Sequence, residues 1–407
     1  MQPSPYTPGE VARDVPGRAV QLAQMDERLS YMIDLQRLIG RVRVDVAARG
    51  IGKTSLLRQM QRRADSRGAL TVWVTAGEDR GLVVALAEEI DRRTSGWKGD
   101  ARRRLRQSLN HLQVTIGVPG VAQLKATPSR EQAAVPTIPG VREFEDVVRH
   151  TVATARKENR PAVVFFVDEI QSADADGLRT LAYAWQHLQS EGSDVPAAVF
   201  AAGLPNSPEV IAAVVTFSER FAYRPLDRLD DDAAMVALAG PARALGVHWE
   251  ADALDQAVAI AQGYPYSLQL LGDAAWNAAG YPEAGATLTI AHVRQARATM
   301  QIDLDALFRA RWEKSTPAEQ DFMRAIATLG DGPVQRADIA RHLNATTEDL
   351  SVPRARLLDK GLIEAAGHGK LEFTIPGFAD YVRRHVSGTA EAQGRPQPPP
   401  SLPGERG

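Results

Sequence analysis

The sequence predicts an α/β protein: a three-layer domain on a parallel sheet, then a helical lid, then a small domain of helices and a hairpin. Three observations predict it. Up to about residue 203, short apolar strands alternate with amphipathic helices, the pattern of a parallel sheet covered on both faces. A strand, a Gly-rich loop and a helix follow one another over residues 42–60. From Asp230 helices alone continue, until a second change of pattern at Ser315.

The elements follow in order. Residues 1–15 carry Pro3, Pro5, Pro8 and Gly9 and read as a flexible N-terminus. Gly17-Arg18 leads into a helix over about Ala19 to Leu38. Val42-Arg43-Val44-Asp45-Val46 alternates as a strand, and Ser55 to Met60 reads as the helix beyond the loop. Leu70 to Val74 is a second core strand and Leu82 to Arg93 a helix. Residues 113–140 hold apolar runs around Pro-Gly turns and read as a hairpin insertion followed by a linker. Val141 to Lys157 is helical. Val163 to Val167 is apolar throughout, as in a strand buried on both faces. A helix over Leu178 to Leu188 and a buried strand over Ala197 to Ala202 complete a domain of residues 16–227.

In the lid, residues 228–312, Asp230 to Asp232 cap a helix that should break or kink at Gly240-Pro241. Helices over Ala251 to Ala261 and Tyr266 to Ala279 are separated by Gly263-Tyr264-Pro265, and Ile290 to Trp312 forms a longer one. Residues 313–386 open on Thr316, Pro317 and Glu319, a capping-box signature. Helices over Glu319 to Leu329, Arg336 to Leu343 and Ser351 to Lys360 follow, the last stopped by Gly361. A hairpin from Leu362 to Ile375 and a helix from Phe378 to His385 close what is a winged-helix pattern. Residues 387–407 are Pro/Gly-rich and read as a disordered tail.

Composition excludes several classes. With 44% hydrophobic and 24% charged residues over 407 positions, the chain is of ordinary globular type. A net charge of −2 gives no bulk attraction for polyanions, so any nucleic-acid contact has to come from a local patch. The absence of cysteine excludes disulfides, cysteine-ligated zinc and thiol catalysis, and fits a cytoplasmic protein. No apolar run approaches the ~18 residues of a membrane span, and no secretory leader is expected.

The chemistry lies in two motifs. Ala47-Ala48-Arg49-Gly50-Ile51-Gly52-Lys53-Thr54-Ser55 has the spacing of a phosphate-binding P-loop, with Ala47 where the pattern asks for glycine. Such a loop points backbone N–H groups at a phosphate from a helix N-terminus. Gly50 and Gly52 allow positive φ, Lys53 suits the β- and γ-phosphates, and the Thr54 hydroxyl suits Mg²⁺. If the turn at Ala47 required φ > 0, the strain would cost about 1–3 kcal/mol and weaken binding without abolishing it. The second motif is the apolar strand ending in Asp168-Glu169. The first carboxylate suits the metal, directly or through water, and the second the activation of an attacking water.

With these pieces together the chain resembles AAA+ ATPases of the origin-recognition/archaeal-ATPase type, which in turn resemble the signal-transducing STAND NTPases. Gly17-Arg18, Arg49-Gly50-Ile51-Gly52-Lys53-Thr54 and Val167-Asp168-Glu169-Ile170-Gln171 are similar to the family's leading element, Walker A and Walker B. Ala202-Gly203-Leu204-Pro205 resembles the sensor-1 strand end, Ser218-Glu219-Arg220-Phe221 an arginine-finger element, and Gly263-Tyr264-Pro265-Tyr266 the lid element that contacts nucleotide. The resemblance implies ATP and Mg²⁺ as ligands, bound by Arg49 to Ser55 and Pro265 with Thr54 and Asp168 on the metal. It assigns catalytic positions to Glu169, Lys53, Arg220 and Asn206. The lid helix lacks the family's sensor-2 arginine; Gln269 is its nearest polar residue.

Several alternatives stay open. Arg220 either completes a neighbour's site in a homo-oligomer or pairs with Glu219 or Asp227. Asn206 either orients water or serves a turn, and Gly263-Tyr264-Pro265 either meets nucleotide or only separates two helices. Tyr264 and Tyr266 are expected in the core. Arg354, Arg356, Lys360 and Lys370 are placed to meet double-stranded DNA, but Glu348, Asp349, Asp359, Glu364 and Glu372 balance them, so a protein partner competes. Function divides likewise: an ATPase driving a conformational change, or a slow-turnover nucleotide switch signalling through protein contacts.

Overall fold

The computed structural model describes residues 1–77, 80–116, 140–191, 194–367 and 369–392. The chain forms two compact units, Met1–Met300 and Gln301–Gly407. No described helix is long and apolar enough to cross a membrane.

The first unit begins with α1 (Ala19–Leu35), β1 (Arg43–Val46), α2 (Lys53–Ser66), β2 (Leu70–Thr75), α3 (Leu82–Thr94), α4 (Asp100–Ile116) and α5 (Val141–Lys157). It continues with β3 (Val163–Asp168), α6 (Ala175–Glu191), β4 (Ala197–Gly203), α7 (Ser207–Ala212) and β5 (Ala222–Pro225). The five strands form one parallel sheet in the order β2-β3-β4-β1-β5. Every residue of β3 and β4 is buried, as their unbroken apolar runs require when helices cover both faces. β1 is different. Its alternation puts Arg43 and Asp45 on one face, and that face is also buried, where the two side chains pair at 2.8 Å. Burial pushes the Asp45 carboxyl up, although Arg43 pulls it the other way.

A helical region follows: α8 (Asp231–Ala244), β6 (His248–Trp249), α9 (Ala251–Ala261), α10 (Pro265–Ala278), β7 (Thr287–Leu288) and α11 (Ile290–Glu313). Asp230 caps α8 by accepting from the Ala233 N–H at 2.8 Å. The expected break at Gly240-Pro241 does not occur; α8 runs through Pro241 to Ala244. Proline removes one N–H and crowds one carbonyl, and burial of Ala237, Leu238 and Ala242 holds the helix across that gap.

Two other expectations are corrected. Residues 1–15 are not loose. Tyr6 is 2% exposed, its hydroxyl donates to the Leu238 carbonyl and accepts from Trp249, and Trp276 donates to the Gln2 carbonyl. A proline-rich segment is already extended, so pinning its one large aromatic costs little further entropy. The hairpin expected over residues 113–140 begins instead as the last turn of α4, and residues 117–139 lie outside the described residues. Leu105, Leu109 and Leu112, spaced by four and three, make α4 amphipathic.

The second unit holds α12 (Pro317–Leu329), β8 (Val334–Gln335), α13 (Arg336–His342), α14 (Ser351–Asp359), β9 (Ile363–Ala365), β10 (Lys370–Phe373) and α15 (Phe378–Ala392). Thr316 and Glu319 form both halves of the capping box. The hairpin β9-β10 gains β8, giving an antiparallel sheet in the order β8-β10-β9. Phe322, Ile339, Leu357, Ile363 and Phe378 are fully buried in this unit.

Candidate active site

The loop after β1 is held from both sides. The Ala47 N–H donates to the Gly203 carbonyl at 3.1 Å, continuing the β1-β4 ladder. The left-handed positions in the loop are Gly50 (φ 85°) and Gly52 (φ 90°), and Ala47 is not among them. Alanine at 47 therefore carries no backbone strain, and its N–H serves the sheet. Ile51 is buried, and its carbonyl accepts from Arg18, whose guanidinium also reaches the Asp227 carbonyl at 2.7 Å. Gly52 is the N-cap of α2, so the first turn of that helix opens into the loop. Arg49 and Gly50 are exposed. The Ser55 hydroxyl, expected among the ligand-binding groups, is committed to the Ala12 N–H at 3.0 Å.

Opposite the loop stand the two carboxylates. The Thr54 hydroxyl donates to Asp168 Oδ2 at 2.7 Å, and Asp168 Oδ1 accepts from the Glu169 N–H at 3.0 Å. Burial pushes the Asp168 carboxyl up, against the lowering effect of those two bonds. Lys53 curls back so that Nζ donates to the Ala48 carbonyl at 2.9 Å. Burial pushes its ammonium down to about 8, although Glu169 and Asp168 pull the other way. Among the described residues no group of three or more His, Asp and Glu could hold a metal by itself. A hydroxyl against a buried carboxylate is a two-oxygen donor set of the hard kind that Mg²⁺ takes, with waters and phosphate oxygens filling the remaining positions.

Gln171 was not among the candidate residues. Its Nε2 donates to Glu169 Oε2, and its Oε1 accepts from the Leu204 N–H at 3.0 Å. It thus ties the Glu169 carboxylate to the end of β4. Glu169 itself is left-handed (φ 51°), which turns the chain out of β3. The sequence signal for Gln171 is its place at the end of the Walker B-like stretch Val167 to Gln171, to which no role was attached.

The lid meets the loop directly. Tyr264 is 1% exposed and donates its hydroxyl to the Arg49 carbonyl, and the Tyr266 N–H donates to the Gly50 carbonyl at 3.2 Å. The core position expected for Tyr264 is therefore against the P-loop. Pro265 is the first residue of α10, where its missing N–H costs nothing. Gln269 accepts from the Thr7 N–H at 3.1 Å and so holds the N-terminal segment.

Asn206 is the N-cap of α7, just past β4, and its Oδ1 has no hydrogen-bond partner. Arg220 is exposed and lies 5.6 Å from the centre of the Phe217 ring; among the described residues it pairs with neither Glu219 nor Asp227. It precedes β5, whose Ala222 sits beside Arg43 at the start of β1, whereas the P-loop leaves the other end of β1. Arg220 and the P-loop thus lie at opposite ends of the strands. In the second unit Arg354 is half-buried, and Arg356 and Lys370 are exposed. Lys360 is corrected: its ammonium binds Glu319 Oε2 and the Lys314 carbonyl, because the buried capping-box carboxylate needs a counter-charge.

Residues 15–200 match the family described as the AAA ATPase domain. Residues 305–382 match a domain of unknown function, DUF8462. No curated protein sequence matches the chain. Among solved structures, the Walker-type ATPase of Pyrococcus abyssi is similar with a TM-score of 0.56 at 15% identity, covering 94% of this chain and 99% of that one. The ORC2 protein of Aeropyrum pernix, solved as ADPNP-ADP complexes, gives 0.56 at 13% identity over 95% and 98%. At such identities the likeness concerns the fold. With the five-stranded parallel sheet, the loop at the head of α2 and the matched family, this chain carries an AAA+ ATPase domain on an origin-recognition-type fold.

Proposed function

We propose that the chain binds ATP with Mg²⁺ between the P-loop and the lid and hydrolyses it to drive a conformational change. The observation that carries this reading is the 2.7 Å contact between the Thr54 hydroxyl and Asp168, formed beside Lys53 at the open N-terminus of α2. Thr54 and Asp168 would hold the metal, whose chemistry is to neutralise charge on the transferring phosphoryl group. Gly50, Ile51, Gly52 and the first N–H groups of α2 cradle the phosphates, with Arg49 and Pro265 at the rim. Lys53 leaves the Ala48 carbonyl for the β- and γ-phosphates. Glu169 accepts the proton of the attacking water, and Asn206 orients that water with its free Oδ1. Arg220 reaches only a neighbour's nucleotide, in a homo-oligomer.

A second reading has its own observation. Tyr264 and Tyr266 tie the lid to the P-loop backbone, so phosphate binding that shifts the loop also shifts the lid. That is the wiring of a slow-turnover switch. We read the units as an ATPase domain over 16–227, a lid over 228–312 and a winged helix over 313–386. The winged helix would meet DNA through Arg354, Arg356 and Lys370, or dock a protein.

Steady-state ATP turnover of the wild type, Lys53→Ala and Glu169→Gln tests both readings. The enzyme reading expects Glu169→Gln to keep ATP binding while turnover falls by about 10²–10⁴. Wild-type turnover no higher than that of Lys53→Ala, with ATP still bound, leaves only the switch.

A further inference from the structure

The densest positive charge in the chain is not in the second unit. Between Lys98 and Ile116 five basic residues face one acidic residue, in a chain whose net charge is −2. All but Lys98 of the five lie on α4. Arg102 pairs with Asp91 on α3, and Arg103 pairs with Asp100 on the surface, a contact of small energetic weight. Arg103, Arg104 and Arg106 are exposed, and neither Arg104 nor Arg106 pairs with a carboxylate among the described residues.

The helix geometry sorts these side chains. Leu105, Leu109 and Leu112 face the core. At about 3.6 residues per turn, Arg103, Gln107, Asn110 and Val114 form one stripe along the opposite side. Arg104 and Arg106 flank that stripe, roughly 160° apart around the axis. The 17 residues of α4 span about 25 Å. Hydrogen-bonding amides and a 66% exposed valine lie in the middle, with cations on both flanks.

We propose that this face of α4 docks duplex DNA, the stripe entering the major groove and the flanking arginines meeting the phosphates on either side. The groove is about 12 Å wide and admits one helix. Arg104 and Arg106 supply the salt-sensitive backbone contacts. Arg103, Gln107 and Asn110 have the donors and acceptors that read base edges, and Val114 the apolar surface that meets a thymine methyl. The apolar side of α4 is already used in the core, which leaves Val114 as its one large exposed apolar side chain, too little to insert into a lipid surface. The surface is independent of the nucleotide site, and the inference does not rest on turnover.

The test is fluorescence anisotropy of a labelled duplex against the full chain, titrated at several salt concentrations from about 50 mM upward. The variants are Arg103→Ala/Arg104→Ala/Arg106→Ala, the lysine counterpart Arg104→Lys/Arg106→Lys, and Arg354→Ala/Arg356→Ala. The triple alanine variant is expected to bind at least about tenfold more weakly and to lose roughly two to three from the slope of log K against log salt. The lysine variant keeps the slope, since phosphate contacts need charge. Alanine is the best helix former, so the triple variant should retain the wild-type helical signal. The proposal fails if wild type does not bind duplex at low salt, or if the triple variant binds as tightly as wild type. It also fails if that variant instead loses binding to vesicles containing anionic lipid while duplex binding stays intact. ATP binding by the same variants is measured alongside, so that a loss there is charged to the nucleotide site.

Discussion

Gly50→Ala probes the seam between the P-loop and the lid. Gly50 has φ 85°, where an L-residue costs about 1–2 kcal/mol. A Cβ there would lie 2.2 Å from the Tyr264 hydroxyl oxygen and 2.7 Å from its ring carbon. Tyr264 is 1% exposed, so it must give up its bond to the Arg49 carbonyl, worth about 1 kcal/mol, and repack within the interior at about 1–3 kcal/mol. The expected loss is about 3–6 kcal/mol. Gly52→Ala is the internal control. Gly52 has φ 90°, but nothing lies within 4 Å of its Cβ position, so only the strain of about 1–2 kcal/mol applies. The assay is urea unfolding of the nucleotide-free protein, comparing midpoints at constant slope. Adding Tyr264→Ala to each variant should lower the penalty of Gly50→Ala and leave that of Gly52→Ala alone, a coupling of about 2–4 kcal/mol. Equal penalties for the two alanines, or no coupling to Tyr264, would refute the reasoning.

The other predictions are of smaller scope. Ala47→Gly should leave ATP affinity within about twofold of wild type by calorimetry, since φ at 47 is already negative and the N–H is held by Gly203. Gln171→Ala should lower kcat by about tenfold while KM and ATP affinity hold, because it releases the Glu169 carboxylate without touching the phosphate loop; Gln171→Glu should be worse, through like-charge repulsion. Lys360→Met should destabilise the chain by about 2 kcal/mol at neutral pH, less than a fully buried pair because Lys360 is partly exposed. The sign with pH follows from Glu319. Burial raises its carboxyl, but Lys360 and the Thr316 N–H outweigh that and hold it below the usual 4.5. The pair's contribution is therefore complete above 4.5 and lost as pH falls through the folded value, so thermal melts of wild type and variant should converge in acid.

Much was legible in the sequence because it depends on local chemistry. The unbroken apolar runs of β3 and β4, the spacing of Gly50, Gly52 and Lys53, the acids at the end of β3, and the Thr316-Pro317-Glu319 cap each work within a few residues. What the sequence left open needed partners far along the chain. Whether Ala47 was strained depended on a bond to Gly203, and whether residues 1–15 were ordered depended on the slot for Tyr6 among α8, Trp249 and α10. The alternation of β1 set Arg43 and Asp45 on one face, and only packing buried them there as a pair. Lys360 looked like a DNA contact until Glu319 took it, whereas the arginines of α4 lay in a stretch to which the sequence reading assigned no element. Periodicity and motif spacing are properties of the chain itself, so the sequence by itself determined four strands of the sheet, the loop and the two carboxylates, but neither the short edge strand β5 nor the strand order. Which charge is buried, which is paired and which is left for a partner is a property of distance in space, and only the tertiary structure decided it.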